Sequence, residues 1–106
     1  MGVMADPLPH PARADIQIES VLHALADPIR LRIVRELAKL GCDGAPCGSI
    51  DLPVTKSTRT HHLRILREAG VINVRPQGTS RISTLRRDDL DARYPGLLNS
   101  ILAAAG

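Results

Sequence analysis

The sequence has no Phe and no Trp, and Tyr94 is its only aromatic residue. Single-strand and RNA binders stack bases on aromatic faces, so those classes are disfavoured and the core must be aliphatic. Cysteine is scarce as well. Cys42 and Cys47 make no disulfide scaffold and fit a reducing cytosol better than secretion, so a cytoplasmic protein is expected. No apolar run approaches membrane-spanning length, and residues 1–7 lack a basic region followed by an apolar one. Neither a membrane partner nor a signal peptide is expected. Also missing are a phosphate-cradling glycine loop, a nucleophile elbow and paired carboxylates in a plausible cleft. An enzyme is therefore not expected, and no cofactor is implied. Asp88, Asp89 and Asp91 cluster, but Asp88 stands where a helix N-cap belongs and the others suit a first turn.

What is present is basic charge in one place. The 106 residues carry a net charge of +3, enough chain for one small domain. Between Lys56 and Arg87 lie eight basic residues and one acid, Glu68, whereas the rest of the chain is net acidic. A merely solvated charged surface seldom segregates sign this way, so the segment reads as facing a polyanion. A core this small also makes dimerisation a fair expectation.

Local signals divide the chain. Residues 1–14, with Pro7, Pro9 and Pro11 and no apolar period, read as a disordered arm. Ile16, Ile18, Val21, Leu22 and Leu25 predict a short amphipathic helix ending near Ala26. Asp27-Pro28 then reads as N-cap and first residue of a helix over 28–40, closed by Gly41. Residues 42–53 hold several Gly and Pro and leave room for one helical turn, over 49–52. Thr55 predicts the cap of a helix from Lys56 to Ala69, with Gly70 behind it. Residues 71–75 and 81–85 read as strands joined by a turn over 76–80. A last helical region capped by Asp88 and broken near Pro95 completes a domain spanning 15–106. The fold class is mostly α with a small β-hairpin wing.

The helix over 56–69 carries the functional reading. At the α-helical period His62, Leu63, Ile65, Leu66 and Ala69 share one side, and Ser57, Thr60, His61 and Arg64 the other, with Lys56 at the entry. A recognition helix needs such a short, polar outer side, because its first turns meet base edges in the major groove. The exposed polar face of any amphipathic helix looks similar, so the context decides. This helix runs directly into a hairpin bearing Arg75 and Arg81, which can lie on phosphates or in the minor groove.

The run Leu25-Ala26-Asp27-Pro28-Ile29-Arg30-Leu31-Arg32-Ile33, followed by Lys56 through Ile72 with its Thr60-His61-His62-Leu63 core, resembles ArsR/SmtB-type regulators. The likeness covers roughly residues 20–90. It implies a winged helix-turn-helix repressor that binds double-stranded DNA at an inverted repeat as a homodimer, through its first and last helices. Carried over residue by residue, the DNA-binding positions are Lys56, Ser57, Thr60, His61 and Arg64 on the helix and Arg75, Gln77 and Arg81 on the wing. His62 falls on the inner side, where a packed, hydrogen-bonded histidine is expected. Arg59 replaces a usually apolar residue and either snorkels along the core edge or joins the DNA surface.

The family's metal ligands are missing: there is no Cys-x-Cys motif, and beyond His62 no histidine at all. No metal is therefore implied. Cys42 and Cys47, separated by four residues in a loop, are open to reading as inert thiols, as a redox pair, or as half of a shared metal site. His10 and His23 read as arm and helix-surface residues. The competing function is a winged helix used to bind protein without sequence-specific DNA binding; the polar outer face and clustered basic charge argue against it. The operator and inducer are not legible.

Overall fold

Helices α1 (Ile18–Leu25) and α2 (Pro28–Leu40) form where the apolar period and the Asp27-Pro28 start signal place them. In the computed structural model, which describes residues 9–41, 44–46 and 49–105, Asp27 Oδ2 accepts from the N–H groups of Ile29 and Arg30, at 2.9 and 3.0 Å. These are two of the four donors that a helix start leaves without partners. Helix α3 (Lys56–Glu68) is capped by Thr55, whose Oγ1 accepts from Thr58 N–H at 3.2 Å. It ends in a Schellman motif, with Gly70 N–H donating to Arg67 O and Val71 N–H to Leu66 O. Gly70 has φ +87°, and an added Cβ would lie 2.6 Å from Ile16 Cγ1, so this stop requires glycine on two counts.

The hairpin follows at once: β2 (Ile72–Gln77) pairs antiparallel with β3 (Ser80–Leu85), from Ile72 opposite Leu85 to Gln77 opposite Ser80. The turn is tighter than the five residues expected. Only Gly78 and Thr79 lie outside the strands, and Gly78, at φ +62°, supplies the positive φ that a two-residue hairpin needs at its first position. A third strand, β1 (Ala45–Pro46), pairs with β3 through Ala45 opposite Ser83 and gives the order β1-β3-β2. The helical turn expected over 49–52 does not form. Ser49 instead folds back on Pro46 O through both its N–H and its hydroxyl.

Helix α4 (Arg87–Arg93) starts two residues earlier than expected, with Asp88 inside its first turn and no side-chain cap. After a break at Tyr94, Pro95 and Gly96, α5 (Leu97–Ala105) follows. The core is aliphatic throughout: Ile16, Val21, Ile33, Val34, Leu37, Leu66, Val71, Ile72 and Leu98 are essentially inaccessible. It joins α1, α2 and α3 to the inner face of the sheet and is tied off by α4 and α5.

Of the arm expected over 1–14, residues 9–14 are among those described, and they lie against the domain. His10 Nε2 accepts the Val74 N–H, a donor on the outer edge of β2, at 3.0 Å. Pro11 O accepts from Arg86, and a 3₁₀ turn over Arg13–Asp15 leads into buried Ile16. Ile16 O takes both Tyr94 Oη and Arg93 Nη2. The segment is thus a strap across the base of the wing and α4, and its partners lie more than 60 residues away. Among the described residues no helix is long and apolar enough to cross a membrane.

Candidate nucleic-acid interface

The capped start of α3 projects Lys56, Ser57, Thr60, His61 and Arg64 into solvent. All five are exposed, while His62, Leu66 and Ala69 on the opposite side are buried. Thr60 donates its hydroxyl to Lys56 O at 3.0 Å, which fixes its rotamer and leaves the oxygen free to accept. The result is a helix start with a cation, two hydroxyls, an imidazole and a guanidinium directed outward.

The hairpin divides its groups. Residues paired across an antiparallel ladder share a face and neighbours alternate. Arg75 and Gln77 therefore lie on one face, the guanidinium donating to Gln77 Oε1 at 3.5 Å, and Arg81, opposite Pro76, lies on the other. All three are exposed at the outer end of the ribbon. The structure does not gather them on one surface; it places a basic group on each side of the tip.

Of the eight basic residues between Lys56 and Arg87, only Lys56, Arg64, Arg75 and Arg81 are exposed. The other four serve the fold. Arg59 is half-buried, with its Nε covered and without a hydrogen-bond partner among the described residues. Arg67 lies along Glu68 at 3.8 Å. Arg86 donates to Asp89 and Pro11 O, and Arg87 to Asn99. Asp89 also takes Arg13 at 2.7 Å. Burial opposes its ionisation, but the Arg13 and Arg86 hydrogen bonds outweigh that and hold its carboxyl below the usual range.

Sequence reasoning missed Arg30. Although it stands in the first turn of α2, it is only 8% exposed. Its Nε donates to Ala24 O at 2.7 Å and its Nη2 to His23 O at 3.2 Å, closing the end of α1. Its Nη1 reaches His62 Nδ1 at 3.2 Å. His62 is thus the packed, hydrogen-bonded residue expected, at 9% exposure. Asp27 Oδ2 lies 4.0 Å from the same ring nitrogen. The Arg30 backbone N–H, more than any other neighbour, holds the Asp27 carboxyl below its usual range. An Asp at an N-cap followed three residues later by Arg was the available signal, but the partner that buries the arginine is 32 residues away.

Among the described residues no three His, Cys, Asp or Glu side chains gather closely enough to hold a metal ion. Cys42 and Cys47 lie outside the described residues.

Comparisons with known proteins agree with this geometry. Residues 25–75, from the end of α1 into β2, match the family model described as a helix-turn-helix domain. The chain is 32% identical over 92 residues to an uncharacterized HTH-type transcriptional regulator, YceK, of Bacillus subtilis, covering 84% of this chain and 91% of the relative. It is 40% identical over 60 residues to an uncharacterized HTH-type transcriptional regulator of Methanocaldococcus jannaschii, covering 56% of this chain and 66% of that one. Among solved structures, an ArsR family transcriptional regulator superposes with a TM-score of 0.64 at 19% identity, over 84% of this chain and 97% of that one. At that identity the likeness shows the fold.

Proposed function

We propose, from the premise that this chain belongs to the HTH-type transcriptional regulators and carries the winged fold of an ArsR family regulator, that it is a repressor acting as a two-fold dimer. DNA-binding regulation follows from the family and an enzymatic role does not. The finer reading concerns how the DNA is held. The observation that carries it is the division of labour at the surface: short polar groups at the start of α3, and basic groups on both sides of the wing tip. In this reading α3 enters the major groove, Arg64 and His61 meet base edges, and Ser57 and Thr60 support the approach. Lys56 sits at the helix start, where the N-terminal partial charge and the ammonium both favour a phosphate. Arg75 and Gln77 contact one wall of the neighbouring minor groove and Arg81 the other, and these contacts position rather than specify.

The dimer reading rests on apolar surface. Leu22 on α1 is 47% exposed, and on α5 Leu97, Ile101 and Leu102 are only partly covered. Ile18, Tyr94 and Leu97 line a shared shallow cleft that makes the two helices' surfaces continuous. Leu25 and Leu98, apolar residues of the same two helices, are buried inside the monomer and do not contribute. A second copy would cover what remains, and a two-fold axis would bring two α3 helices to one side of the pair. The protein would act in the cytoplasm, and its inducer is not identified.

Selection of bound sequences from random duplex DNA tests this function. Enrichment of one motif is expected. Recovery of unselected sequences, with binding that tracks salt alone, would favour a winged helix without sequence-specific DNA binding.

A further inference from the structure

We propose that Arg30 is the positioning residue of the reading helix, acting through His62, and that sequence selection requires the unprotonated His62 ring. This rests on the reading of α3 as the base-contacting helix. Arginine has five donors and no acceptor, so a nitrogen that meets Arg30 Nη1 at 3.2 Å must present a lone pair. In the arrangement proposed, the His62 ring is neutral and carries its hydrogen on Nε2. Arg30 itself has little freedom: two of its nitrogens are spent on the carbonyls of Ala24 and His23, and its backbone N–H is held by Asp27. Three elements meet at one guanidinium, the end of α1, the first turn of α2 and the middle of α3. His62 sits on the buried side of the same helical turn that presents His61 and Arg64 outward.

A proton on Nδ1 would set two cationic donors against each other. The carboxylate facing the new N–H is that of Asp27, with Oδ2 at 4.0 Å, which already takes two backbone donors. The ring would then exchange Arg30 for Asp27, and the buried Arg30 Nη1 would lose its partner. The charged and titratable groups facing the ring are Arg30 and Asp27 from α2 and its cap, with His61 at 5.9 Å between ring centres on its own helix. From α1 the cluster receives carbonyl oxygens. Because both α3 helices of a dimer must enter their grooves together, a shift of α3 against α2 lowers selectivity even where total affinity holds.

The test measures the affinity ratio of wild type, His62→Asn and Arg30→Lys for a selected duplex over an unrelated one, at about pH 7.5 and about pH 5.5. Asn can place an acceptor near the Nδ1 position and does not titrate. Wild type should lose selectivity by about fivefold or more on acidification. His62→Asn should lose clearly less selectivity than wild type on acidification, and Arg30→Lys should be less selective at both pH values. Exposed His61, read as meeting base edges, is common to all three proteins, so whatever pH dependence it contributes appears in His62→Asn as well and is subtracted from that of the wild type. Equal pH dependence in wild type and His62→Asn, or full selectivity in Arg30→Lys, would overturn the proposal. Ring-nitrogen NMR of the free wild type decides it even if a variant fails to fold: the Nε2–H tautomer is expected, and an Nδ1–H tautomer would overturn it. Wild type that selects no sequence at about pH 7.5 would contradict the DNA-reading premise instead, and the tautomer would still decide the Arg30 contact.

Discussion

Arg64 and Arg81 are both exposed arginines, yet they are expected to fail in different ways when removed. In the proposed reading Arg64→Ala or His61→Ala takes a donor from a base edge, so cognate binding should weaken by about 1–3 kcal/mol and the selected motif should relax at one position. In the same reading Arg75→Ala or Arg81→Ala removes a phosphate contact. Affinity should then fall alike for all sequences, and the salt slope should shrink by about 0.9 per lost contact per subunit. Binding isotherms over a salt series distinguish the two patterns. Asp27 and Asp89 make a second prediction at this scale. Both carboxyls titrate lower in the folded protein than in the unfolded chain. Their contribution is complete above the ordinary carboxylate range and is lost as pH falls through the depressed folded values, below about pH 4. Asp27→Ala should cost about 1 kcal/mol near neutrality from the lost cap and flatten the acid limb of a pH–stability curve. An acid limb identical to wild type would contradict this.

Among the elements, those set by neighbouring residues were legible in the sequence. Asp27-Pro28, Thr55 and Gly70 act within a few positions of themselves, and α2 and α3 begin and end where those residues place them. Elements that depend on distant partners were not. Strand β1 is two residues long in a stretch of Gly and Pro, and its existence depends on the edge of β3. The strap over residues 9–15 lacks any periodic signal because a backbone N–H of β2 and side chains at the start of α4 hold it. The first turn of α4 moved for the same reason, since Arg86 is engaged by Asp89 and Pro11 rather than left to precede an Asp88 cap. The candidate DNA surface was half legible: all eight assigned positions are exposed, but charge counting overstated the surface, because half the arginines and lysines of the basic segment are drawn into packing. Gly70→Ala follows from the local argument. It forces a positive φ on a residue with a Cβ and drives that Cβ into Ile16, and it should destabilise by about 2–4 kcal/mol in denaturant unfolding. Gly78→Ala, with open space around it, should cost only about 1–2 kcal/mol. Equal effects would mean that the strap does not press on the α3 stop.

For the whole molecule, the proposed function turns on a two-fold dimer. A chain with a modest aliphatic core and an uncovered stripe along α1 and α5 is expected to sediment as a dimer at micromolar concentration, and Leu22→Glu should shift it toward monomer while leaving α3 folded. Two reading helices related by a two-fold axis then meet successive major grooves on one face of the duplex. Hydroxyl-radical footprinting of the duplex selected by the wild type tests this most directly. The account predicts two protected patches, symmetric about their midpoint, with half-site centres about one helical turn apart and both lost with Leu22→Glu. A single asymmetric patch, unchanged by Leu22→Glu, would contradict it.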